Sequence, residues 1–332
     1  MFCQLEWLRD CFPPDIRRAL KELPKSLDET YKRILLAIGC AKREHAHRLL
    51  QCLVVSIRPL RVEELAEVLA VRPDIGEDSE YHSDWRPGDA RQAVLSACSS
   101  LIAIVNVEGL PVVQFSHFSV KEYLMSSRLA NEGDHLSFYH IIPRSAHAFL
   151  SRYCLNALLG LGNDVDESVI AERPFAKYAA RYWVDHAKVE GVSLGIRDLM
   201  ERLFYPDAPC FATWVWIYDV DRKVSMAMAR PTQPEAKPLY YAALCGFRSL
   251  LEHLIITHQV DVNARGGDHG TALNAALARG ELKIAWFLLQ NGANVKIKDR
   301  GGISSLNKAV EVLHRDVADL LSECRNMSDT SM

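Results

Sequence analysis

The stretch VVQFSHFSVKEYL, residues 112–124, sets His117 between Ser116 and Ser119 with Glu122 close behind. A serine beside a histidine suggests a nucleophile and its base. Neighbours on an extended strand point to opposite sides, however, and no nucleophile-elbow glycine pattern surrounds them. The setting suits an anion better, because a helix start offers unpaired amide donors and a positive dipole end. His45 and His47 form the other conspicuous pair, an HxH that on a helix turns its rings to different faces, unlike a metal-ligand spacing. The acid pairs Glu63-Glu64 and Glu77-Asp78 fall at a helix start and in a loop, where they read as solvated surface. These patterns predict no catalytic residue, no metal site and no bound cofactor.

The elements that must carry these residues follow from periodicity. Ser26 and Glu29 open a helix, SLDETYKRILLAI, whose Leu27, Tyr31, Ile34, Leu35 and Ile38 share one face. HAHRLLQCLVVSI makes a second helix, ending near Arg58-Pro59, and RVEELAEVLAV a third, closed by Pro73. Residues 73–89 are acidic and rich in turn formers, the pattern of an exposed insertion. ARQAVLSACSS then reads as a helix, and LIAIVNV and VVQFS as a hairpin joined through Glu108-Gly109-Leu110-Pro111. Three helices and a hairpin give the order of a winged helix. The next helix is expected to begin at Ser119, with Ser119 and Glu122 forming a capping box. Residues 131–230 read as helical, with Phe175, Tyr178, Ala179, Tyr182, Trp183 and His186 on one stripe and Ile196, Leu199, Met200, Leu203 and Phe204 on another.

Composition is that of an ordinary soluble chain: 332 residues, 49% hydrophobic, 24% charged, formal net charge −3. That balance supplies no basic field for nucleic acid. Nine dispersed cysteines without a CxxC pair predict reduced thiols in the cytoplasm. No apolar run approaches the roughly 20 residues of a membrane span, and the charged amino terminus is unlike a signal peptide.

After the prolines of ARPTQPEAKP the chain repeats itself. KPLYYAALCGFRSLLEHLIITHQVDVNARGGDH, GTALNAALARGELKIAWFLLQNGANVKIKDRG and GISSLNKAVEVLHRDVADLLSE align with Leu239, Leu273 and Leu306, and with Ala242, Ala276 and Ala309, in equivalent places. A period of 33 to 34 residues is that of ankyrin repeats. The small alanines let paired helices approach, and Gly246 and Gly280 end the first helix of each pair. The expected fold is therefore mainly α: a helical region with a winged-helix module and one small β-hairpin, followed by an ankyrin-repeat solenoid. The expected boundaries are a helical remnant at 1–44, the winged helix at 45–130, a helical domain at 131–230, about three ankyrin repeats at 237–325 and a disordered tail at 326–332.

ELPKSLDETYKRIL, RPLRVEELAEVLAV, FSHFSVKEYL, FAKYAARYWVDHA and the ankyrin units together resemble the carboxy-terminal part of fungal NACHT-type signalling ATPases of the NOD-like receptor (STAND) class. The winged-helix motif of that family is matched by Phe115, His117, Ser119, Glu122, Tyr123 and Leu124. The resemblance implies that His117 occupies a nucleotide-phosphate sensor position, and that the remnant at 1–44 follows a NACHT domain. The phosphate cradle of the family is missing from these 332 residues, since none of the seventeen glycines precedes a lysine. One hydrogen bond to a charged group contributes about 1.5–3 kcal/mol, whereas millimolar binding needs about 4 kcal/mol. The chain is thus not expected to bind nucleotide unaided, and His117 is expected to be vestigial as a sensor.

The function expected is a non-catalytic protein–protein interaction and regulatory module, with docking to a NACHT domain supplied in trans as a further partner. Its contact residues are expected in the ankyrin finger tips: Arg265, Asp268 and His269 in one unit, Lys298, Asp299 and Arg300 in the next. The alternatives are a truncated copy of a STAND NTPase and a winged-helix DNA-binding regulator. Against the last, the candidate reading helix carries one cation, Arg91, where a groove reader needs several.

Overall fold

The computed structural model describes residues 26–70, 85–161, 165–206, 208–225 and 234–303. The chain divides into two compact units, Met1–Gly160 with Glu172–Tyr178, and Leu161–Ala171 with Ala179–Met332.

In the first unit, α1 (Leu27–Ala37) is capped by Ser26, whose Oγ accepts from Glu29 N at 3.2 Å, and it buries Tyr31 and Leu35. Gly39 reverses the chain into α2 (Cys40–Val55), which buries Leu49, Leu50, Leu53 and Val54. The expected boundary between residues 44 and 45 therefore falls inside a helix, because Ala41 to Glu44 are good helix formers and nothing there breaks it. Then come β1 (Leu60–Arg61), α3 (Val62–Glu67) with a 3₁₀ turn at Val68–Ala70, α4 (Ala90–Cys98), β2 (Ile102–Val107) and β3 (Leu110–Phe115).

The sheet order is β1-β3-β2, antiparallel throughout. The expected hairpin thus gains a third strand, too short at two residues to show any periodicity. Its turn is the pair Glu108 and Gly109, both left-handed at φ 52° and 84°, as a two-residue type I′ hairpin requires. Leu110 and Pro111 belong to the strand rather than to the joint. A two-residue turn makes Val107 and Leu110 a hydrogen-bonded pair, so Asn106 and Pro111 form a non-hydrogen-bonded one. The missing N–H of Pro111 therefore costs the β2–β3 ladder nothing.

The unit continues through α5 (Phe118–Leu124), α6 (Ser127–Ala130), α7 (Asp134–Ser137) and α8 (Pro143–Leu159). Its core gathers Leu50, Leu60, Leu65, Val94, Val113, Leu124 and Leu150, each contributing about 1.5–3 kcal/mol by leaving water. Glu64, expected in solvent, is only 2% exposed. Its two oxygens take both terminal nitrogens of Arg58 at 2.7 Å, and one also accepts from Arg61 N at 2.8 Å, closing the start of α3. Glu67 is likewise buried: it pairs with Arg86 and accepts from Phe175 N at 2.9 Å. Desolvation by burial raises its pKa despite those partners.

The region 131–230, expected as one helical domain, is divided between the units, with α8 in the first. The second unit holds α9 (Glu167–Ala171), most of α10 (Pro174–Ala187), α11 (Val192–Gly195), α12 (Arg197–Leu203) and α13 (Pro209–Ile217). Both expected stripes are buried apart from half-exposed Tyr182. Trp183, Phe204, Trp214 and Phe247 form an aromatic core with ring centroids 5.3–6.1 Å apart, and Trp214 Nε1 donates to Ala180 O at 3.0 Å.

Two helix pairs follow, α14 (Pro238–Cys245) with α15 (Arg248–Ile256) and α16 (Ala272–Ala278) with α17 (Leu282–Gln290). Leu239 and Leu273, Ala242 and Ala276 are buried as the repeat requires. Gly246 and Gly280 are left-handed at φ 79° and 73°. The third repeat unit from residue 304, the tail at 326–332 and residues 1–25 lie outside the described residues.

Candidate functional site

His117 stands between β3 and α5 with extended backbone, φ −152° and ψ 145°, and it is the N-cap of α5. Its Nδ1 accepts from Ser119 N at 3.3 Å and lies 2.6 Å from Ser119 Oγ. The Tyr31 hydroxyl from α1 lies 2.8 Å from the same Oγ. The consistent arrangement is a relay in which Tyr31 O–H donates to Ser119 Oγ and Ser119 O–H donates to His117 Nδ1, which puts the imidazole proton on Nε2. This corrects the expected capping box. The helix starts one residue before Ser119, because the imidazole itself supplies the acceptor that a Ser or Asn side chain normally provides. Ser119 sits inside the first turn and ties α5 to α1. His117 is exposed, its ring 4.3 Å from that of Phe118, which is 71% exposed.

Of the pair His45 and His47, the second packs against aromatic rings. His47 lies 4.8 Å from the Phe138 ring, and Arg43 stacks on that ring at 4.0 Å while donating to Asp134 O at 3.1 Å. Burial, with Arg43 and Arg48 adding to it, lowers the His47 pKa to about 4.

The six finger-tip residues divide into two groups. Asp268, His269 and Arg300 are engaged within the chain. Arg222 pairs with Glu235 at 2.5 Å and with Asp268 at 3.2 Å; Arg300 pairs with the same Glu235 and, at 3.2 Å, with the same Asp268. Two cations and two carboxylates thus close a ring across the turn after α13, the approach to α14 and both fingers. Beneath it lies Asp221, whose side chain is 2% exposed. Its Oδ2 accepts from Tyr240 O–H at 2.6 Å and from Asp268 N at 2.8 Å, and its Oδ1 faces His269 Nε2 at 3.7 Å. Tyr241 O–H donates to Asp219 Oδ1 at 2.9 Å. Burial, then these carboxylates, push both tyrosine pKa values well above the ordinary range. Asp299 holds its own turn, accepting from Ile303 N at 2.7 Å.

Arg265 and Lys298 form the second group. They occupy equivalent places in successive fingers, VNAR and VKIK, 33 residues apart, and both are exposed. Asn263 fixes the spacing of the fingers, donating from Nδ2 to Gly292 O at 3.0 Å and accepting from Asn294 N at 2.7 Å. Sequence reasoning missed Asp221, Arg222, Glu235 and Tyr240. The only signal was the polar DVDR run directly after the apolar α13, inside a region read as helical.

The folds and the fingers define a winged-helix domain joined to an ankyrin array. Comparison with known proteins agrees. Residues 32–134 match the family described as GPI inositol-deacylase, winged helix domain, and residues 235–330 match ankyrin repeats (3 copies). The chain is similar to azaphilone pigments biosynthesis cluster protein L of Monascus ruber, at 35% identity over 295 residues, 83% of this chain and 61% of that protein. A stretch of 74 residues, 22% of this chain, is 31% identical to 5% of alpha-latrocrustotoxin-Lt1a of Latrodectus tredecimguttatus. The chain therefore spans about three fifths of the first relative and a small part of the second. Among the described residues no helix is long and apolar enough to cross a membrane.

Proposed function

We propose that this chain is a non-catalytic, cytoplasmic interaction module that holds a protein partner on its ankyrin fingers, as the regulatory and sensing part of a NACHT-type receptor system. The observation that carries the reading is the column of Arg265 and Lys298, two exposed cations at equivalent positions of fingers that are already fixed in place. The winged helix supports the receptor setting. His117 Nε2 has no partner among the described residues, and a nucleotide-binding domain docking in trans would meet it together with Phe118. Arg91 is the one cation of α4, so nucleic acid is not the partner proposed.

The test is affinity capture from an extract of the producing organism, comparing the wild-type chain with Arg265→Glu/Lys298→Glu. A partner retained at least tenfold better by the wild type is the expected result. A set of captured proteins unchanged by the double substitution would remove the finger column from the account. The purified chain is also expected to show no ATP hydrolysis above background.

A further inference from the structure

The two edges of the winged-helix sheet are built differently. The β1 edge is two residues long, carries Arg61, and runs at once into α3. Shortness and charge are usual protections of an edge. The β2 edge has neither: IAIVNV is six residues long, holds no charge and no proline, and pairs residue for residue with β3 without a bulge.

The register shows which of its groups are free. Val107, Val105 and Ala103 spend their N–H and C=O groups on β3, so those of Ile102, Ile104 and Asn106 point outward. Among the described residues no hydrogen bond reaches these outward groups. The side chains bordering the edge are apolar: Ile104 and Val105 are half-exposed, and at the tip Val107, 46% exposed, sits opposite Leu110, 41% exposed.

From these features we infer that β2 is a strand-addition site, taking an extended, uncharged segment of a partner protein with apolar residues at alternating positions. Main-chain bonds to Ile104 and Asn106 would give affinity, and half-exposed Val105 with exposed Val107, which share one face of the sheet with Leu110, would select the side chains at alternating positions. A second copy of this chain is a poorer occupant. Six strand residues extend only about 20 Å, and pairing two such edges buries a few hundred Å², far below the ~1,200 Å² at which lasting protein–protein interfaces begin. A single extended segment needs no such area to bind transiently. This site is on the winged helix and is independent of the ankyrin reading.

The register also supplies the test. Asn106 N–H takes no part in the β2–β3 ladder, so Asn106→Pro removes an outward donor and blocks the edge while leaving the hairpin intact, as Pro111 does on the facing strand. Asn106→Ala is the control. A phage-displayed library of random twelve-residue peptides, selected on the full chain, is expected to enrich alternating apolar sequences. Those peptides should bind Asn106→Pro at least tenfold more weakly and Asn106→Ala within about twofold, and should slow amide exchange at Ile104 and Asn106. Failure to enrich peptides, or binding indifferent to Asn106→Pro, would overturn the assignment. So would edge amides already protected in the free chain, or a concentration-dependent dimer that Asn106→Pro dissolves; these would give the edge to this chain itself or to a second copy.

Discussion

If His117 is the cap of α5, its replacement has a size and a pattern that a nucleotide sensor does not share. The single acceptor of the cap, Nδ1, serves both Ser119 N, at the long distance of 3.3 Å, and Ser119 Oγ. Losing an N-cap side chain costs about 0.5–2 kcal/mol, and Asn is among the best replacements. His117→Ala should therefore lower the melting temperature of the first unit by about 2–4 °C, the effect of ~1 kcal/mol in a domain of this size. His117→Asn should recover most of it. Tyr31→Phe removes the other end of the relay, for about 0.5–1.5 kcal/mol. Because both act through Ser119, the double variant should fall short of the sum by at least ~0.5 kcal/mol, where independent sites agree within ~0.3–0.5 kcal/mol. Calorimetry of the full-length variants with and without ADP reads all of this at once. If His117→Asn melted like His117→Ala, or the two substitutions were additive, the relay would be refuted. A melting shift on adding ADP that is lost with His117→Asn would restore the sensor role instead.

Other consequences are equally direct. Gly109 and Gly267 are both left-handed, at φ 84° and 68°, but an added Cβ meets open space at Gly109 and lies 2.3 Å from the Tyr240 ring at Gly267. Gly109→Ala should cost about 1 kcal/mol and Gly267→Ala clearly more, by urea midpoints. Asp221→Ala strips Tyr240 O–H and Asp268 N of their acceptor. At about 1.5–3 kcal/mol for a bond to a charged group, it should loosen the first finger, seen as faster amide exchange at Asp268 and His269. His47 titrates at about 4 in the folded chain against an ordinary value of 6.5. Below pH 6.5 the unfolded chain takes up a proton that the folded one refuses, so stability falls between pH 6.5 and about 4, by up to ~3 kcal/mol. Urea midpoints for His47→Phe should lack that part of the acid sensitivity.

The sequence shows most of the fold because most of it is periodic. The amphipathic stripes of α1, α10 and α12 and the repeated Leu239, Ala242 and Gly246 each recur at a spacing that a single chain reveals. What stayed hidden depends on partners distant in sequence. Glu64 looks like any acidic residue at a helix start until Arg58 folds back on it. β1 has no period because it has two residues. Pro111 argues against a strand unless the register is known, since only the register decides whether its absent N–H is needed. The candidate site divides in the same way. His117 and the finger charges are legible as residue types, but their commitments, His117 to Ser119 and Asp268 to Arg222, are set by residues that no spacing connects.

The inner helices of the ankyrin pair leave the fingers as the surface on which the proposed partner would dock. All eight residues of α14 and the run from Ala272 to Leu277 in α16 are buried. A terminal repeat must hide the face it would present to a preceding one. Here α13 and the turn after it do so, with Phe211 and Trp214 5.6 Å from the Tyr241 ring and with Asp219 and Asp221 holding the two tyrosine hydroxyls. The same cap reaches the fingers through Arg222, Glu235, Asp268 and Arg300. Exposed pairs of that kind contribute only about 0–1 kcal/mol each, so the ring adds little to global stability. Its effect is on order: a finger held at its tip loses little conformational freedom when a partner arrives. Arg265 and Lys298 are thereby presented at a fixed spacing, so the binding proposed for the fingers would not be diminished by the cost of arranging the loops that receive the partner.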